Sequence, residues 1–197
     1  MTQRLNYTNH SGGASGADLY FEIIGVKYGI KTIAYSFPEH RSVSRFKKPL
    51  NTTELLEGWW VIQGAAKNLK RNLSSTTPYV KKLIARDWFQ VKNSKETFAI
   101  GKIIEPMGFG SKYQNKSGKQ VVDGGTGYAV EMSIENNHPV HIFNLNDNTW
   151  YQWDYKFCKF IKEDCPILCE QFAGIGTRNL NRDGEIAIEE LYKKSFL

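Results

Sequence analysis

Glu131 stands four residues after the last glycine of DGGTG (123–127), and this spacing frames the chemistry open to the chain. Glycines at 124, 125 and 127 let the backbone approach a ligand with no Cβ in the way. A helix that starts behind them offers unsatisfied N–H groups and a positive dipole end, which suit a phosphate. A carboxylate one turn into such a helix can act as general acid or nucleophile. It can equally be a solvated side chain, stabilised there by roughly a few tenths of a kcal/mol.

Two further stretches share the pattern of small residues before a helix. They are SGGASGAD (11–18) and GIGTRNLNRDG (174–184). Together the three supply the candidate ligand residues Ser11, Gly12, Gly13, Ser15, Asp18, Asp123, Gly124, Gly125, Thr126, Gly127, Gly176, Thr177 and Arg178. Arg178, directly after a glycine turn, is placed for a bidentate phosphate contact. Asp18 can cap the first helix or reach a ribose hydroxyl. No stretch contains Gly-Lys-Ser or Gly-Lys-Thr, and the first two glycines of SGGASG are adjacent. Both the P-loop and the dinucleotide fingerprint are therefore disfavoured.

The elements that must position these loops read as an α/β chain. LNYTNH (5–10) is extended, ADLYFEIIGVKYG (17–29) is helical in period, and KTIAYSF (31–37) is a second strand. Strand, helix, strand over about thirty residues is a βαβ unit, which implies a parallel sheet. In the first helix Leu19, Ile23 and Val26, with Tyr20 and Ile24, form the apolar face. Helices follow over 52–73 and 79–93, then a strand over 96–104. Residues 105–121, rich in glycine and lysine, read as a surface hairpin or flexible flap. A helix over 127–136, strands over 139–145 and 149–157, a buried strand within 167–176 and a closing helix over 184–194 complete the chain. This is one α/β domain over 1–197, a Rossmann-like, mostly parallel sheet with helices on both faces. In such a sheet the three loops share the carboxyl edge, where ligands bind.

Composition narrows the partners without naming one. Lys and Arg number 26 against 20 Asp and Glu, a net charge of +6 that suits an anion, from a nucleotide to a nucleic acid. The three cysteines, Cys158, Cys165 and Cys169, give neither a disulfide framework nor zinc spacing, so no metal or cofactor is expected. MTQRLNYTNH lacks the apolar core of a signal peptide, and no apolar run is long enough to span a bilayer. The expectation is a cytoplasmic protein with no membrane partner. His40 and Arg41 read as a surface turn, and the alternating aromatics of 149–157 as an edge strand or a base-stacking or subunit contact. The basic cluster RFKKP (45–49), with Lys67, Lys70, Arg71, Lys81 and Lys82, reads as a solvated face. A single-strand DNA groove is the sharper alternative, disfavoured because aromatic residues do not interleave with it.

SGGASGAD, DGGTGYAVE (123–131) and FAGIGTR (172–178) together resemble the SLOG superfamily. This Rossmann-like group includes the Lonely Guy nucleotide phosphoribohydrolases, the DNA-processing protein DprA and sensors of ADP-ribose-type signals; small YpsA-related phage proteins are the most similar members. The resemblance implies a nucleotide-type ligand, a homo-oligomer and, for a phage-encoded chain, a place in the host cytoplasm. DGGTGYAVE is similar to the Lonely Guy motif P-G-G-x-G-T-x-x-E, so Gly124, Gly125 and Gly127 fall on its glycines and Glu131 on its catalytic glutamate. Asp123 replaces the motif's proline, and Tyr128 its phosphate-binding threonine, with Thr126 the hydroxyl that remains. Arg86 and Arg178 are candidates for the arginine that partners the glutamate. Three functions stay open: a binder that sequesters an ADP-ribose derivative or cyclic nucleotide signal, a nucleotide N-glycosidase using Glu131, and a single-stranded DNA module.

Overall fold

In the computed structural model, residues 6–197 are described, so Leu5 of the expected first strand lies outside them. The eight-stranded sheet is built from β1 (Thr8–Ser11), β2 (Lys31–Ser36), β3 (Lys47–Pro49), β4 (Glu96–Gly101), β7 (Val140–Asn144), β8 (Thr149–Asp154), β9 (Lys159–Lys162) and β10 (Gln171–Gly176). Its order is β3-β2-β1-β10-β4-β7-β8-β9. Neighbours from β3 to β7 run parallel, and β8 and β9 are antiparallel additions. Because β1, β2, β4 and β10 are parallel, their ends at Ser11, Ser36, Gly101 and Gly176 lie on one edge.

Helices cover both faces, so the fold is α/β and Rossmann-like. One face carries α1 (Ala17–Lys27) and α6 (Arg182–Phe196); Phe21, Ile24, Ile188 and Leu191 pack there on Phe98, Ile100 and Phe172. The other carries α2 (Thr52–Asn68), α3 (Pro78–Ala85), α4 (Asp87–Lys92) and α5 (Thr126–Glu135), with Ile62, Val91 and Met132 on Ala99, Ile142 and Ala173. Each fully buried large apolar side chain contributes about 1.5–3 kcal/mol. Helix α1 packs closely on the sheet: a Cβ at Gly174 of β10 would lie 2.6 Å from Cγ of Phe21.

Several boundaries differ from the sequence reading, each for a local reason. The helix expected over 52–73 starts with a capping box, Asn51 with Glu54, but stops at Asn68, two residues before Lys70 takes φ 52°. The helix expected over 79–93 is broken at Arg86 into α3 and α4. The strand expected over 96–104 ends at Gly101. Beyond it β5 (Ile103–Ile104) leaves the sheet and pairs antiparallel with β6 (Val121–Val122). The hairpin between them is braced rather than loose. Asn115 Nδ2 donates to the carbonyls of Ile104, Glu105 and Lys119, and Asn115 Oδ1 accepts from Ser117. Strand β8 is not the sheet edge either, since a turn with Cys158 at φ 50° brings β9 alongside it. The last strand is confined to Gln171–Gly176.

The apolar face expected of α1 is also rotated. Ile23 and Val26 are 44% and 54% exposed, whereas Phe21, Ile24 and Gly25 face inward together with two carboxylates, Asp18 and Glu22. No helix among the described residues is long and apolar enough to cross a membrane.

His141, buried on β7, donates from Nδ1 to Glu163 Oε1 at 2.7 Å, and its Nε2 lies 3.5 Å from Glu96 Oε2. Burial opposes the charge, but the hydrogen bonds and charges of the two glutamates outweigh it and lift the pKa from 6.5 to about 9. A raised folded-state pKa stabilises fully below the unfolded value and is lost as pH rises through the folded one. Unfolding free energy should therefore fall between pH 6.5 and about 9, by up to about 3 kcal/mol. Denaturant melts of the wild type and His141→Asn across this window check it: the fall should be absent from the variant.

Candidate functional site

The loop after β1 is organised around a buried guanidinium. Arg86 sits at the break between α3 and α4, where its Nη1 donates to Gln90 Oε1 at 3.1 Å and lies 3.0 Å from Asp87 Oδ1. Its Nη2 is 3.9 Å from Asp18 Oδ2, while the buried Nε has no hydrogen-bond partner within the protein. Gly12 is a glycine because Arg86 occupies the space a Cβ would need. Gly16, at φ 90°, lies directly against the backbone of Thr177 and Arg178. Asp18 Oδ1 accepts from Gly176 N at 3.0 Å, so the loops after β1 and β10 form one structure.

A second buried carboxylate supports the loop from below. Glu22 accepts 2.6 Å hydrogen bonds from Ser11 Oγ and Ser44 Oγ, and Ser42 Oγ donates to the carbonyl of Gly13. Burial pushes the Glu22 pKa up, and the two hydroxyl donors oppose that shift. Burial also lifts Asp18, against the charge of Arg86, and raises Asp87 to about 7.

His40 is not the plain surface turn expected. It is 9% exposed, stacks on Phe37 with centroids 5.1 Å apart, and its Nδ1 lies 3.1 Å from Ser36 Oγ. Burial, and then the charges of Arg86, Arg178 and Lys47, push its pKa down to about 4, so it is neutral at pH 7. Ser15 and Arg178 are exposed on this edge, and Thr177 is half-buried.

The DGGTG loop is held by a second arginine. Arg71, 8% exposed, donates from Nη1 to the carbonyl of Gly124 and from Nη2 to that of Val122. It lies under the rings of Tyr113 and Tyr128, 5.1 Å from each centroid. Gly127 packs against the Val122 carbonyl and Arg71, whereas Gly124 (φ 64°) and Gly125 have nothing within 4 Å of a Cβ position. No side chain caps the start of α5 at Gly125 and Thr126. Asp123 faces the hairpin: it accepts from Ser111 N at 2.9 Å, from Ser111 Oγ at 3.1 Å and from Gly124 N at 2.8 Å.

Glu131 is 2% exposed and pairs with Lys119 Nζ at 2.7 Å; the same ammonium lies over Trp153. This partner comes from the hairpin, not from the loops after β1 and β10. Of the two arginines considered as partners of Glu131, Arg86 is held by Asp18, Asp87 and Gln90, and Arg178 is exposed on the loop after β10.

Sequence reasoning missed Glu22, Ser42, Ser44, Asp87 and Gln90. One signal was available for Glu22: Asp18 and Glu22 are spaced i, i+4 on the helix face that carries Phe21 and Gly25. Among the described residues no group of three or more His, Cys, Asp or Glu is arranged to hold a metal. The fold and this edge define an α/β protein of the type whose ligand sites form at the carboxyl ends of parallel strands. No protein-family model, curated protein or solved structure matches the chain.

Removing one member of the Lys119–Glu131 pair strands the other in the interior. Lys119→Met should cost about 2 kcal/mol or more, and Lys119→Met/Glu131→Met should recover most of it. Urea melts of the three proteins measure the difference. A double variant no more stable than Lys119→Met would show that the pair is not the reason Glu131 is buried.

Proposed function

We propose that this chain binds a small phosphorylated ribonucleotide at the carboxyl edge of its sheet and holds it intact. The observation that carries the reading is the start of α5. Gly124 and Gly125 are open above, the helix N-terminus has no side-chain cap, and the carbonyls of Val122 and Gly124 are turned towards buried Arg71. Backbone N–H groups backed by a guanidinium suit a phosphate. Arg178, exposed on the joined loops after β1 and β10, supplies a second cationic contact. An ADP-ribose derivative has two phosphates for these contacts, and a cyclic nucleotide signal has at least one. Sequestration of such a signal, for a phage-encoded chain during host defence, is what the likeness to the SLOG superfamily adds.

The engagement of Glu131 with Lys119 favours holding over cutting. Nucleotide N-glycosidase activity with Glu131 as acid or nucleophile is the second reading, and Glu131→Gln separates the two: an enzyme would lose turnover by orders of magnitude while keeping its affinity, whereas a binder has no turnover to lose.

Gly125 gives the sharper test, because its φ of −65° suits alanine and nothing crowds its Cβ position. Gly125→Ala should keep or slightly raise the melting temperature, since alanine narrows the unfolded ensemble by roughly 0.4–1 kcal/mol. Its affinity for ADP-ribose in calorimetry should nevertheless drop about 10-fold or more, as should that of Arg178→Ala. Unchanged affinity in both variants would remove the phosphate from this edge.

A further inference from the structure

The aromatic strand β8 does not supply the base-stacking wall considered from sequence. Its Trp150 and Trp153 are buried, and its Tyr151 hydroxyl donates to Asp147 Oδ2 at 2.5 Å. A different aromatic lies two residues before Ser111, whose backbone and hydroxyl hold the Asp123 carboxylate next to the open glycines. Phe109, in the β5–β6 hairpin, is 78% exposed, which for a phenylalanine leaves nearly the whole ring in water.

The backbone around Phe109 is strongly specified. Phe109 forms an isolated bridge with Gln114, and Gly110 N donates to the Tyr113 carbonyl. Met107 is held at φ 63°, an unfavourable conformation for a side-chain-bearing residue, by bonds from its N–H to Asn115 O and from Gln114 Nε2 to its carbonyl. Next to Phe109, Gly110 approaches the Asp123 carboxylate too closely for any Cβ. Ser111 then clasps that carboxylate with backbone and hydroxyl donors, and Asp123 in turn accepts from Gly124 N. The chain thus runs from the exposed ring, through one glycine and one clasp, to the open stretch at Gly124–Gly125.

We propose that Phe109 is the base-recognising residue of the site, an aromatic platform on which the nucleobase of a ligand stacks when its phosphate lies over Gly124 and Gly125. This rests on the reading of the carboxyl edge as a nucleotide site and adds what that reading lacks, a contact for the base. The backbone that presents the ring is already held, which limits the entropy lost on binding, and stacking tolerates any base with a π-face. Two exposed lysines near the ring, Lys112 and Lys116, keep the hairpin's charge favourable to an anionic ligand.

Calorimetry with two probes, ADP-ribose and ribose 5-phosphate, separates the base from the phosphate. Phe109→Ala should weaken ADP-ribose binding by about 5- to 100-fold and leave ribose 5-phosphate unchanged. Phe109→Trp should retain affinity, with an indole emission that changes on adding ADP-ribose but not ribose 5-phosphate. Equal losses for both probes in Phe109→Ala would overturn the proposal, because the ring would then act through the glycine loop. Unchanged ADP-ribose affinity would overturn it while leaving the phosphate site standing. Failure of the wild type to bind either probe would overturn both the platform and the reading beneath it.

Discussion

A guanidinium cannot be buried without partners, and the requirements of Arg86 shape the carboxyl edge of this fold. An unpaired charge in the interior costs several kcal/mol even after relaxation. The chain meets that cost with Asp87 and Gln90 from α4 and with Asp18 from α1. The consequences spread outward. Gly12 must lack a side chain where the guanidinium lies, and α1 turns polar residues inward. Gly176 then docks its N–H on Asp18, which fastens the loop after β10 to the loop after β1.

The two arginine-centred structures use their glycines for different purposes. Gly12 and Gly16 are filled from within, by Arg86 and by the backbone of Thr177 and Arg178. Gly124 and Gly125 are filled by nothing, while Arg71 draws the neighbouring carbonyls away from the open side. A glycine-rich loop is therefore not one kind of evidence. Close internal packing explains the first loop, and only the second leaves room for a ligand against its backbone. The hairpin joins this second structure through Asp123, which accepts from Ser111 N and from Gly124 N.

Much of the architecture was legible because it rests on short-range chemistry. Glycine turns separated strand-like from helix-like periods, and strand, helix, strand in about thirty residues is the crossover that a parallel pair needs. The errors lie where tertiary contacts override local pattern. The face of α1 was misjudged because Asp18 and Glu22 are polar yet buried. Arg86 reads as an ordinary helical residue, so the break it occupies was invisible. Strand β9 is four residues long with lysine at both ends, too charged and too short to show alternation. The burial of Glu131 depends on Lys119, twelve residues earlier in a hairpin that sequence suggested was loose. The glycine loops themselves were found from sequence, whereas the Glu22–Ser11–Ser44 bonds and the cluster of Arg86 with Asp18, Asp87 and Gln90 exist only once the elements are packed together.

The central claim is that the edge bearing Arg178 and the open start of α5 retains a phosphorylated ribonucleotide without changing it. The most direct test is equilibrium filtration of the purified protein with ADP-ribose derivatives, cyclic nucleotides and nucleoside monophosphates. The free fraction is chromatographed before and after the protein is heat-denatured. The account predicts a compound that leaves the free fraction and returns intact on denaturation. Free base with ribose phosphate in the filtrate, or full recovery of every compound in the first filtrate, would contradict it.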